Sequence, residues 1–157
     1  MNDSEKNLKK LKVSALKNGT VIDHIPPQNL FKVISILGLD KIREDMITFG
    51  MNLDSKAMGS KALIKISNKY FEDDDINRIA LIAPNAKLNI IKDYKVVEKK
   101  EVQVPDEVIG IVKCFNPKCI TNHEDISTSF KVINKDPLEL KCKYCEKITN
   151  KDQMFLK

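Results

Sequence analysis

CFNPKC at residues 114–119, answered by CKYC at residues 142–145, holds all four cysteines of the chain. The spacings, Cys114-x4-Cys119 and Cys142-x2-Cys145, are those of metal ligands. A tight turn inside each pair lets two thiolates converge on one ion, and zinc asks for four such donors in a tetrahedron. Two disulfides or unpaired buried thiols are the alternatives. The opening MNDSEKNLKKLK is lysine-rich and lacks an apolar h-region, so a reducing, cytoplasmic setting is expected, which disfavours disulfides. A rubredoxin-like iron site is disfavoured by the four residues inside the first pair and by the absence of glycine after either pair. A closed four-thiolate shell leaves no open coordination position, so the expectation is one structural, non-catalytic Zn2+ per chain.

The cysteines fall only after residue 113 of 157. That asymmetry predicts two domains, residues 1–100 and a small metal-stabilised module over 101–157, the latter too short to bury a sufficient core without its metal. Charge follows the same division. Residues 1–100 hold 18 Lys/Arg against 13 Asp/Glu, whereas 101–157 hold nine of each. A neutral module made more negative by four thiolates argues against nucleic acid as its partner, because phosphate-backbone binding rests on accumulated Lys and Arg. The cationic excess lies in the first domain, where it serves a polyanionic small ligand or merely solubility. No apolar run approaches the ~20 residues of a membrane helix, so no membrane partner is expected.

In the first domain, Val13, Ala15, Val21 and Ile25 suggest extended structure interrupted near Asn18-Gly19 and ended by Pro26-Pro27. Leu30, Phe31, Val33, Ile34 and Leu37 fall at helical spacing, and Gly38 is a natural C-cap, which predicts a helix over 28–37. MITFGMNL (46–53) and KALIKIS (61–67) read as a hairpin. EDDDINRIALIA predicts a second helix near 73–83, its acids favouring the helix dipole and Pro84 stopping it. Strand-like material from 87 to about 102 carries a bend at Asp93. This order is the split βαβ pattern of a ferredoxin-like α+β sandwich, with both helices on one face of an antiparallel sheet. After a polar linker around Pro105, IGIVKC, SFKVI and LELKC predict a small all-β, zinc-ribbon-like domain of three or four strands.

Phosphate-loop, GxGxxG, HExxH and GxSxG signatures are missing, so no catalytic residue is expected. His24 follows Asp23, and strand alternation would turn the two to opposite faces. His123 reads as a solvated loop residue. Lys65 shares a face with Leu63, opposite Ile64 and Ile66, and either snorkels to solvent or meets an anion over the sheet; Asn89 and Lys99 pose the same choice.

Taken together, VIDHIP, KALIKI, the stretch from KLNII to VVEKK, and CFNPKCI with LKCKYCEK closely resemble the regulatory chain of aspartate carbamoyltransferase, over about residues 11–150. The resemblance implies a non-catalytic subunit with a nucleotide-binding allosteric domain and a zinc domain that docks on a separate catalytic chain of pyrimidine biosynthesis. It also implies regulatory-chain homodimers and the effectors CTP and ATP, with UTP reinforcing inhibition in some members. The positions matching the family's nucleotide site are Val13, Ala15, Leu16, Val21, Asp23, His24, Lys65, Asn89, Ile91, Tyr94, Val96 and Lys99. By that analogy backbone groups around Leu16, Ile91 and Tyr94 read the base. Asp23, Lys65 and Asn89 hold the ribose or adjacent phosphate, and His24 and Lys99 lie toward the phosphates. Ser14 and Ser60 depart from the family's usual acidic and basic residues.

Overall fold

The computed structural model describes residues 16–157. Val13, Ser14 and Ala15, and with them the beginning of the expected first strand, lie outside the described residues. The chain divides after Val102 into two compact units.

The first unit is built on a five-stranded sheet. Strand β1 (Gly19–Ile25) opens at a glycine with φ 146°, where a Cβ would collide with the carbonyl oxygen of Ile66. Pro26-Pro27 end the strand, and a 3-10 turn at Pro27–Asn29 leads into α1 (Leu30–Ile36), which buries Leu30 and Val33. Gly38, at φ 66°, makes the left-handed exit expected of a C-cap. Strands β2 (Ile47–Ser55) and β3 (Gly59–Ser67) form the expected hairpin.

Helix α2 (Asp73–Asn77) is shorter than the predicted helix over 73–83 and tightens into a 3-10 segment, Arg78–Leu81. Residues Ile79 to Ala83 are all buried. A regular α-helix packed on a sheet would turn some of those five side chains outward, so continuous burial and Pro84 together favour a tighter, irregular end. The side chain of Asn29 donates to the carbonyl of Ile82 at 2.8 Å, linking this end to the start of α1.

The strand-like stretch after residue 87 is a hairpin, β4 (Lys87–Lys92) and β5 (Lys95–Glu101), where a single bent strand was expected. Asp93 and Tyr94 both take positive φ, 50° and 65°, as the two central residues of a type I′ turn must. The ferredoxin-like core thus gains a fifth strand, in the all-antiparallel order β2-β3-β1-β4-β5. One face carries Ile22, Ile64, Ile66, Leu88 and Ile90, buried together with Leu30, Val33, Ile76 and Ile79 of the helical layer. The other face carries Val21, Lys65, Asn89 and Lys99, and among the described residues no helix seals it.

The second unit is all-β. Strands β6 (Glu107–Ile109), β8 (Ser129–Lys135), β9 (Leu138–Cys142) and β10 (Ile148–Asn150) form a sheet in the order β10-β9-β8-β6, while β7 (Val112–Lys113) pairs with β11 (Phe155–Leu156). The expected single strand in IGIVKC is split between β6 and β7 because Gly110 takes φ 74° and donates its N–H to Thr128. Phe130, Val108, Val112 and Leu140 form the core beside the cysteines. Among the described residues no helix is long and apolar enough to cross a membrane.

Candidate functional site

Among the described residues, two places gather chemistry-bearing side chains. The first is the cysteine cluster, whose ligand atoms all lie within 4.8 Å of one another. Cys114 and Cys119 flank a short loop, and Cys142 ends β9 with Cys145 in the turn that follows. Backbone N–H groups shape both turns: Cys119 donates to Asn116 at 3.0 Å, and Glu146, at φ 64°, donates to Cys142 at 2.9 Å. The Asn122 amide braces the first loop by donating to the carbonyls of Cys114 and Asn116 at 2.9 and 2.7 Å.

The sulfur geometry decides between disulfides and a metal. Disulfide-bonded sulfurs sit about 2.0 Å apart, whereas sulfurs placed about 2.3 Å from a central zinc form a tetrahedron with an edge of about 3.8 Å. Cys114 Sγ lies 3.7 Å from Cys145 Sγ, and Cys119 Sγ lies 3.8 Å from Cys142 Sγ. The thiols are free and, apart from half-buried Cys145, buried. Burial pushes Cys114 up to about 12 and also raises Cys142. Cys145 is also pushed upward by its burial, but hydrogen bonds from the Asn116 side chain and the Lys147 backbone prevail and bring it down to about 7. Cys114 and Cys142, which resist ionising side by side, become stable thiolates when a cation sits between them. His123 is exposed in the loop between the pairs, outside the cluster.

The second place is the helix-free face of the first unit. Strand register sets Lys65 of β3 opposite Val21 of β1, Val21 opposite Asn89 of β4, and Asn89 opposite Lys99 of β5. These four form one row across the sheet, about 14 Å from end to end at ~4.8 Å per strand, and the two terminal lysines can lean toward its middle. Neither lysine has an ion-pair partner among the described residues. Burial pushes the Lys65 ammonium below the usual lysine value, which raises its demand for an anion.

The next row holds Asp23, facing Lys87, which faces Glu101. A cleft of about 490 Å3 spans both rows, lined by Asp23, His24, Lys87, Asn89 and Lys99 among others. At the opposite end, Ile91 and Val96 face each other across β4 and β5. Tyr94 donates its N–H to the carbonyl of Lys17 at 2.9 Å, which seats the turn beside buried Leu16. Every described residue of the expected nucleotide site therefore belongs to this face, to its edges, or to the segment leading into it.

His24 departs from the alternation argument. The register of β1 shifts between Ile22 and Ile25, and His24 takes φ 60°. This bulge brings its Nδ1 to 3.6 Å from Asp23 Oδ2, where simple alternation would have parted them. The Asp23 carboxylate instead accepts the His24 backbone N–H at 2.7 Å. Lys61, which sequence reasoning missed, lies 2.9 Å from Asp23. Its place two residues from Leu63 and four from Lys65 was the available signal, since alternation sets all three on one face.

Comparison with known proteins agrees with this division. Residues 11–103 match the family model described as aspartate carbamoyltransferase regulatory chain, allosteric domain, and residues 106–155 match that chain's metal binding domain. The chain is 57% identical to the aspartate carbamoyltransferase regulatory chain of Parabacteroides distasonis, covering 98% of this chain and 99% of that one. It is likewise 57% identical to the Bacteroides fragilis regulatory chain, over 96% and 97%. The regulatory chain of Pyrococcus abyssi is 49% identical over 92% of this chain and 96% of its own length.

Proposed function

This chain belongs to the family of aspartate carbamoyltransferase regulatory chains, and we propose that it senses nucleoside triphosphates, CTP and ATP with UTP as a further effector, and passes the signal to the catalytic chain. The observation that carries this reading is the row Lys65–Val21–Asn89–Lys99 on the open face of the sheet. A triphosphate carries about four negative charges near neutral pH, and two lysines on separate strands, with no acidic partner among the described residues, offer point charges to meet them. The base end would be read by backbone groups around Leu16, Ile91 and Tyr94, and Asp23 and Asn89 would hold the ribose. The coupling between this site and the distant active site is a free energy of about 1–3 kcal/mol in typical allosteric systems.

The metal of the second unit is zinc in this reading, because a tight four-thiolate tetrahedron suits it and leaves no position for substrate. Its role is structural: it holds the short strands that would dock on the catalytic chain. Regulatory dimers would form through the first unit, where β2 is an edge strand that exposes Phe49, Met51 and Leu53; an unpaired apolar edge is a ready site for a second copy. The protein would work in the cytoplasm, where thiols stay reduced.

Calorimetric titration of the purified chain with CTP and ATP, alone and with the aspartate carbamoyltransferase catalytic chain, tests the reading. Saturable binding to the isolated chain and nucleotide-dependent activity of the complex are expected. Binding only in the presence of the catalytic chain would move the site off this subunit.

A further inference from the structure

The groove over the second row contains a cation to which the nucleotide reading assigns no part. Lys87, the first residue of β4, faces Asp23 on one side and Glu101 on the other. It lines the cleft of about 490 Å3 together with Asn89 and Lys99. It also lines a cleft of about 280 Å3 that includes Met58 and Asn85. His24, Lys87 and Glu101 line both clefts, so the two adjoin at the end of the open face. At this junction the Nδ1 of His24 is buried without a hydrogen-bond partner among the described residues.

The neighbouring charges are already committed. Asp23 lies 2.9 Å from Lys61, and Lys100 lies 3.0 Å from Asp73. Lys87 has no ion-pair partner among the described residues, although Glu101 stands directly across from it. Lys87 and Glu101 are thus the uncommitted charges of the second row, and they are opposite in sign.

Two residues along a strand are about 6.8 Å, which is the offset between Asn89 in the first row and Lys87 in the second. A single phosphate held over Lys65 and Lys99 does not cover that distance, whereas a polyphosphate chain running along the strand does. We propose that Lys87 is a further ligand-binding residue that meets the terminal phosphates and makes the site select nucleoside triphosphates over monophosphates, with Glu101 opposing it. The proposal rests on the nucleotide reading of this face.

The test is calorimetry of the full chain with CTP and CMP at fixed ionic strength, for the native protein and for Lys87→Gln, Lys87→Arg, Glu101→Gln and Lys65→Ala. Loss of one charge-assisted phosphate contact at a solvent-exposed site predicts that Lys87→Gln weakens CTP about tenfold and CMP less than about twofold. Lys87→Arg should keep CTP affinity within about threefold, and Glu101→Gln should tighten CTP by about two- to threefold, because a repulsive carboxylate has gone. Equal weakening for CTP and CMP, or unchanged CTP binding in Lys87→Gln while Lys65→Ala loses it, overturns the assignment of Lys87 alone. Unchanged CTP binding in all four variants overturns the nucleotide reading of the face itself.

Discussion

The hydroxyl of Tyr70 donates to the carbonyl of Ile91 at 3.0 Å, tying the segment that leaves β3 to the β4–β5 hairpin. Thr20 holds the same segment by donating to the Lys69 carbonyl at 2.7 Å, and the Lys92 ammonium lies 5.6 Å from the centre of the Tyr70 ring. Tyr70→Phe keeps the ring and its cation contact but removes the hydrogen bond. A loss of about 0.5–1.5 kcal/mol is expected, the net worth of such a bond. Hydrogen exchange should locate the loosening at residues 91–96. Native protection there would show that Lys17 and Asn18, which accept from Tyr94 and Asp93, suffice to hold the turn.

Burial pushes the Lys65 ammonium below the usual lysine value, and the sign of the consequence for binding is definite. Below its pKa the group is charged and attracts phosphate; above it the attraction is lost. CTP affinity should therefore decline on the alkaline side earlier than an ordinary lysine would dictate, with proton uptake on binding in that range. Lys65→Arg should flatten the profile, since arginine stays charged throughout. Lys65→Ala should cost about 1.5–3 kcal/mol for CTP at neutral pH, the scale of a hydrogen bond to a charged group, and little for cytidine. Calorimetry across the pH range in two buffers reads both effects, and equal losses for CTP and cytidine would remove Lys65 from the phosphates.

Replacing any one of Cys114, Cys119, Cys142 and Cys145 by Ser should abolish stoichiometric metal and unfold the second unit, since three ligands do not offset the ordering cost of so small a core. Metal analysis by mass spectrometry should find zinc in the native protein and none in the variants. CTP affinity should stay within a few-fold of native, because every described residue of the proposed nucleotide site precedes residue 102. Loss of CTP binding along with the metal would show that the two units share the site.

Thr149 is fully buried in β10, and its hydroxyl has no hydrogen-bond partner among the described residues. An unsatisfied buried hydroxyl costs about 1–3 kcal/mol, so Thr149→Val, which keeps the shape, should be neutral to stabilising by about 1 kcal/mol. Thermal unfolding of the metal-loaded chain measures it. A clear fall in melting temperature would mean that the hydroxyl is satisfied in solution.

Alternation reached the faces of the central strands, and spacing reached the ligand turns, although neither foresaw the short second helix or the bulge at His24. Ile64 and Ile66 are buried while Lys65 is not, as period two requires. The cysteine spacings pointed to a single cluster, because ligand turns of that length are local and leave little choice of geometry. Gly38 could be read as a helix exit for the same reason: the φ it adopts is one that other residues avoid.

The remainder depended on contacts between distant segments. Nothing local to KLNIIKDYKVVEKK separates one bent strand from two; the turn at Asp93 and Tyr94 holds because Asn18 and Lys17, some 75 residues earlier in the chain, accept its N–H groups. The bulge that brings His24 beside Asp23 cannot be read from VIDHIP, since it arises from pairing β1 with β3 in shifted register. That Lys61 and Lys87 both stand near Asp23 follows from the sheet order, which places β1 between β3 and β4. The sequence by itself thus determined the two ligand turns and the alternating faces, which follow from local covalent geometry, whereas folding set Cys114 beside Cys145 and Cys119 beside Cys142. Only tertiary structure decided which lysines share an open face, because that depends on strand order and register, and these are settled by the burial of the opposite face.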